Sequence, residues 1–398
     1  MTNPRALRVL FVCLVCIGLG QSMLFAILPP AARALGISPF RISTIFATSA
    51  SIWVFVSPWW GRKSDVWGRR PVILIGLLGF GLSMALLATT IALGSSGLLS
   101  AVAVYPLLIG SRCVFALVGS GTGPASQAYI ADRTSAEERA AGLALVTAAV
   151  GLGETLGPAM GAALATLGLV APIYFSAALA GASATVIWWR LPEDGPVRPA
   201  GSAVPPRLGY ADRRVAPFLA VGASLQAVRA TTVITLALFL QDTFSLPAER
   251  AAQRAGIGFV AVAAAGLFAQ LILVQRLRPR ARTMILSGVP LMVLAFALLV
   301  LGRNFGVYLA ALGCLGLGLG LVRPGSAAGA SLAVSAEEQG AVAGLLGGLA
   351  VLGNVFGPML GTTLYGVSPR APYMLNGGLM SALLLFVLTN RRIRNLRS

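Results

Sequence analysis

GLGETLGPAMG at residues 151–161 returns 200 residues later as VLGNVFGPMLG at 351–361. SAEE does the same, at 135–138 and 335–338, and Gly123-Pro124 falls opposite Arg323-Pro324 at that offset. Matches at one shared spacing point to a chain built from two related halves in parallel orientation. Each copy of the eleven-residue stretch sits in a long apolar run, and such runs recur along the whole chain. Only 11% of the 398 residues are charged and mean hydropathy is +0.84, whereas soluble domains carry about 25% charged residues. Runs over roughly 6–30, 39–60, 71–93, 103–130, 140–166, 169–189, 216–240, 255–274, 284–301, 306–330, 341–366 and 371–389 are each about long enough to cross ~30 Å of hydrocarbon as a helix. They lack the alternation of barrel strands. The fold class expected is an all-α polytopic membrane protein, with twelve transmembrane helices in two six-helix pseudo-symmetric bundles.

The bases explain themselves by position. Net charge is +18, which in a soluble protein would suggest nucleic acid. Twelve spans put both termini on one side, and 21 of the 30 Lys and Arg lie in that side's segments. Six lie opposite (Arg33, Arg41, Arg250, Arg254, Arg303 and Arg370), and Arg112, Arg229 and Arg323 fall within spans. The positive-inside rule therefore assigns both ends to the cytoplasm, and no nucleic-acid partner is expected. RALRVLFVCLVCIGLG runs on to Pro29 without a convincing cleavage site, so it reads as the first span rather than a signal peptide. Residues 191–215, rich in Pro and Gly and without apolar period, read as a cytoplasmic linker. The domains expected are thus 1–190, a six-helix bundle; 191–215, the linker; and 216–398, a second bundle.

GRKSDVWGRR, residues 61–70, packs four bases and one acid between two apolar runs. An interfacial anchor needs the bases and leaves Asp65 unexplained. A carboxylate at a helix end among cations makes charge-assisted hydrogen bonds in one arrangement and loses them in another. The corresponding segment of the second half, QRLRPRARTM (275–284), keeps bases and has no acid.

Within the spans, Gly153, Gly157 and Gly161 recur every four residues and form one stripe on a helix, where small residues admit a close neighbour; Pro158 removes one backbone bond. Glu154 is the one acid of twelve deep in a span, and the chain has no His. A carboxylate in hydrocarbon costs several kcal/mol, roughly 2.5–3.5 on insertion scales. It needs a proton, a partner such as Arg112, or a wet cavity, and a permanent Glu154–Arg112 pair remains an alternative to a proton carrier. Asn354 takes the equivalent place in the second half. Gln21, Gln226, Arg229 and Arg323 are further polar candidates for a substrate cavity, although Arg323 sits near enough to a span end to snorkel. Three intramembrane Arg against one Glu suit an anionic or zwitterionic solute. Cys13, Cys16, Cys113 and Cys314 read as small apolar packing, not a metal set. There is no G-x-x-x-x-G-K-[ST] and no catalytic or metal-ligand cluster, so neither an ATP-driven machine nor an enzyme is expected, and no cofactor.

Six plus six spans joined by a cytoplasmic segment resemble the major facilitator superfamily, two six-helix halves with a site near the bilayer midplane. Gly61, Asp65, Gly68, Arg69 and Arg70 match its signature loop, with departures at Lys63 and Val66. The resemblance implies a conformational latch, in which the Asp bonds to bases and helix ends. Gly153, Gly157, Pro158 and Gly161 resemble the fifth-span motif of twelve-span drug/proton antiporters, the group that includes tetracycline exporters. Arg112 resembles a fourth-span Arg tied to proton transfer, with Phe115 and Ala116 where Gln and Gly are usual. What this implies is a proton-coupled secondary exporter of a small organic solute or drug, working by alternating access in a cytoplasmic (inner) membrane. Glu154 and Arg112 would couple protons. The alternatives are a dedicated exporter of an anionic metabolite such as a siderophore, or uptake by proton symport. The expected partners are the solute, protons and the lipid bilayer, and the expected state is a monomer.

Overall fold

The computed structural model describes residues 4–133, 136–192, 209–335 and 338–394. Among them the chain is helical with no strand. In order, the helices are α1 Pro4–Ala34, α2 Pro39–Trp67, α3 Arg69–Ser95, α4 Ala101–Val118, α5 Thr122–Ala131, α6 Ala136–Leu164 and α7 Ala171–Arg190. They continue with α8 Ala216–Phe244, α9 Ala248–Phe268, α10 Gln275–Leu277, α11 Ala281–Leu301, α12 Phe305–Leu332, α13 Gln339–Val367, α14 Ala371–Thr389 and α15 Arg391–Arg394. Ten helical rods are long and apolar enough to span a membrane among the described residues. The remaining two, α6 and α13, are 29 residues each and correspond to the expected fifth and eleventh spans.

Three local features differ from the sequence expectation. The charged stretch at 61–70 is not a loop: α2 stays helical through Trp67, and Gly68 alone separates it from α3. Gly68 has φ +94°, where a side chain would be strained, so one glycine makes the whole reversal. The fourth span is broken. α4 ends at Val118, residues Gly119–Gly121 form a 3₁₀ turn, and α5 resumes at Thr122. Two glycines in GSG weaken the α-helix there. The eighth span widens into a π-helix over Ala269–Val274 before α10, and Arg278 follows in the left-handed region at φ +45°.

The chain divides into two compact units, Met1–Gly201 with Thr243–Gly256, and Ser202–Asp242 with Ile257–Ser398. In the first, Leu10 and Cys13 of α1 pack with Ile73 and Leu77 of α3, Tyr129 and Ile130 of α5, and Ala184 and Ile187 of α7. In the second, Phe239 stands between Tyr308 and Tyr373 with ring centroids 5.2 and 4.8 Å apart. Residues 193–208 of the expected linker lie outside the described residues.

Candidate functional site

Because α2 continues to Trp67, Asp65 and Arg69 are held in a fixed register across Gly68. Arg69 Nη1 lies 2.5 Å from Asp65 Oδ1 and its Nε donates to Asp132 Oδ2 at 2.8 Å. Nη1 also donates to Ser64 Oγ at 2.6 Å. One guanidinium therefore ties the end of α2, the start of α3 and the residue after α5. The Arg69 side chain is 10% exposed, Asp132 20% and Asp65 44%. Asp132 is the more sheltered partner, and sequence reasoning did not single it out. Its signal was available: it is the first acid after an apolar run that ends on the same face as Asp65.

The flanking bases have their own supports. Lys63 lies over the rings of Trp59 and Trp67, at 5.5 and 5.3 Å, which accounts for a Lys at this departure from the family pattern. Arg70 stacks on Trp188 at 5.3 Å and donates to the Trp188 carbonyl. Trp60 Nε1 donates to the Leu117 carbonyl at 2.7 Å, in the last turn of α4 before the break in the fourth span. The end of α2 that bears the acid is thus tied to the α4–α5 discontinuity.

The glycine stripe of α6 faces α1. A Cβ on Gly153 would overlap the Val15 carbonyl, one on Gly157 would overlap Ser22 Oγ and the Leu19 carbonyl, and one on Gly161 would lie 3.3 Å from Met23. Ser22 uses the proximity and donates to the Gly153 carbonyl at 3.2 Å. The second unit repeats this: a Cβ on Gly353 would come within 2.7 Å of Gln226 Cβ, and one on Gly357 within 2.5 Å of Ala230 Cβ on α8, where Thr231 donates to the Gly357 carbonyl at 3.3 Å. Pro158 and Pro358 lie inside helices α6 and α13.

Glu154 follows directly on this contact, and its backbone nitrogen lies 3.2 Å from where a Gly18 Cβ would stand. Arg112 is 3% exposed on α4. Its hydrogen-bond acceptor is not Glu154 but Gln21, one turn along α1 from Gly18: Nη2 donates to Oε1 at 3.4 Å. Its Nε and Nη1 are buried without hydrogen bonds, and the guanidinium stacks on Phe115 at 4.7 Å and Phe46 at 5.9 Å. Gln226 and Arg229 are partly buried on α8, and Arg323 is exposed on α12. Asn354 lies on α13, with its side chain outside the described residues.

Helices long and apolar enough to cross a bilayer, in halves that repeat their packing motif, define a polytopic membrane protein. The chain belongs to the Major Facilitator Superfamily, whose family model matches residues 10–346 and 272–397. It is 26% identical over 378 residues to the class C tetracycline resistance protein of Escherichia coli, covering 92% of this chain and 91% of that one. It is equally 26% identical over 374 residues to multidrug resistance protein 2 of Bacillus subtilis, covering 91% and 89%. Among solved structures it resembles the human organic anion transporter MFSD10 in fold, with TM-score 0.66, 22% identity and coverage of 97% and 100%.

Proposed function

We propose that this transporter is a proton-coupled exporter of a small organic solute, working by alternating access in a cytoplasmic membrane with both termini inside. The observation that carries the reading is the α1–α6 seam, which sets Glu154 among glycines that let two helices approach to backbone contact. A carboxylate beside such a seam presents a different charge to the neighbouring helix with and without a proton, which is how proton exchange would be felt by the packing. Gln21, one turn along α1 from Gly18, and Arg112, which donates to it, supply the polar surroundings that a reversible proton needs. The relatives named for tetracycline and multidrug resistance support export over uptake. The three-residue cluster on Arg69 acts as the latch, and residues 1–190 and 216–398 act as the two moving halves.

The test is uphill transport in vesicles driven by an imposed pH gradient. Glu154→Gln keeps shape and hydrogen bonding and holds the neutral state. It is expected to insert and bind solute, yet not to concentrate it against its gradient. Uphill transport by this variant at the wild-type rate would make Glu154 structural. The Arg112 environment favours one refinement, a solute with an anionic group, since a buried guanidinium with two nitrogens making no hydrogen bond attracts an oxygen anion.

A further inference from the structure

The outer flank of the first unit carries a groove between α3 and α7. The two helices touch midway, where a Cβ on Gly81 would lie 3.3 Å from Ala180 Cβ. Beyond that point, toward the end that bears Arg70 and Arg190, the groove opens to about 450 Å³. Gly181 and Ala184 make it possible, because neither has bulk to fill it, while Leu78, Trp188 and Trp189 form exposed apolar walls. Exposed residues of this kind face hydrocarbon when the helices span a bilayer. Paired tryptophans at a span end lie at headgroup level. No acidic side chain lines the groove.

Two bases, Arg70 and Arg190, adjoin the lining residues Pro71 and Trp189 in the chain at that end. Arg70 is pinned there by its bond to the Trp188 carbonyl and by stacking on the Trp188 ring. That bond uses one of five N–H donors; Nε is buried, so donors for a headgroup come from the two terminal nitrogens. Arg190 is exposed in the last turn of α7, beside Trp189. An apolar slot ending at two bases matches one chemistry, a hydrocarbon chain that terminates in an anion.

We propose that the α3–α7 groove binds an anionic glycerophospholipid, with an acyl chain between the helices and its phosphodiester on Arg70 and Arg190. A zwitterionic lipid fills the slot equally well but brings an ammonium to the same bases. Neither the transported solute nor the direction of transport enters this assignment, so it stands or falls separately from the exporter reading.

The test is native mass spectrometry of the purified full chain with equal amounts of dioleoylphosphatidylglycerol and dioleoylphosphatidylcholine. The wild type is expected to retain phosphatidylglycerol preferentially. Arg190→Gln, at an exposed site, should reduce the preference about fivefold, the worth of one base near an anionic headgroup, and Arg70→Gln should add a similar factor. Thr185→Trp, which blocks the groove from its exposed edge with both bases intact, should reduce retention of both lipids. Undiminished preference in Arg190→Gln and in the double variant would overturn the assignment. So would full lipid retention by Thr185→Trp, or release of phosphatidylglycerol by inorganic phosphate alone, since the chain would then contribute nothing.

Discussion

Each unit gathers two carboxylates on one arginine, and the two arginines do unlike things. In the first unit Arg69 holds Asp65 and Asp132, joining the ends of α2, α3 and α5. In the second, Arg214 holds Asp212 and Glu338, with Nη2 2.9 Å from Asp212 Oδ2 and 2.8 Å from Glu338 Oε1. That cluster ties the approach to α8 to the start of α13. It does not involve the α10–α11 segment, the repeat counterpart of 61–70, which reaches its bases through a π-helix and a left-handed Arg278. The two sites also differ in shelter. The Arg69 side chain is 10% exposed and the Arg214 side chain 45%. Water reaches the second arginine far more than the first, so chemically similar triads carry unequal energies. Duplication preserved the helices and their close packing, while the ionic fastening moved to different helix ends in each half.

Removing Asp132 should separate the two clusters most sharply. Asp132→Asn leaves a nearly buried guanidinium short of one counter-ion, a change that costs about 3–5 kcal/mol at buried pairs. The solute transport rate is expected to fall by tenfold or more (roughly 1.4 kcal/mol per decade) at normal expression. Asp65→Asn should cost less, because that carboxylate is 44% exposed. Glu338→Gln should change the rate by less than about twofold, as for exposed pairs. Equal losses at Asp132 and Glu338 would erase the distinction drawn between the units.

The glycine stripes test what the halves share. Gly157→Ala and Gly357→Ala both insert a methyl where α-helices meet, and overpacking costs roughly 1–3 kcal/mol. Both should lower the melting temperature in detergent, Gly157→Ala the more, since its Cβ meets the Leu19 carbonyl as well as Ser22 Oγ. A backbone carbonyl cannot swing aside. Unchanged melting of both would mean that the seams are looser than the geometry requires.

The smallest effect belongs to acid. Hydrogen bonds from Arg214 hold the Asp212 and Glu338 carboxyls below their ordinary values, and the same bonds raise Arg214. A depressed carboxyl contributes stability above its unfolded pKa, about 4, and loses it as pH falls through the folded value. Melting measured from pH 7 downward should therefore show the cluster's contribution unchanged to about pH 4 and lost only below it. Arg214→Gln should remove that acid-dependent component, and an identical acid profile in the variant would show that the triad adds nothing.

Much of this was legible in the residues themselves. Hydropathy runs located the spans, the offset of 200 residues between the GP-containing stretches announced the duplication, and the spacing of Gly153, Gly157 and Gly161 announced a close helix contact. All three are periodic signals, repeated often enough to survive local exceptions. The reversal at 61–70 was misjudged, since four bases and a serine read as a loop although α2 remains helical to Trp67. Asp132 was passed over, and the Glu154–Arg112 pair weighed as an alternative did not point to Gln21, the acceptor that Arg112 has.

Composition and period determined that the chain is a duplicated bundle of membrane-spanning helices, because hydrocarbon forces every backbone polar group into helical bonds and leaves an apolar sequence few alternatives. Only the tertiary structure decided which carboxylates share Arg69, which glutamine receives Arg112, and where α3 and α7 leave a groove. Those are distances between residues far apart in the sequence, and they depend on which faces of the helices meet, something no single helix records in its own residues.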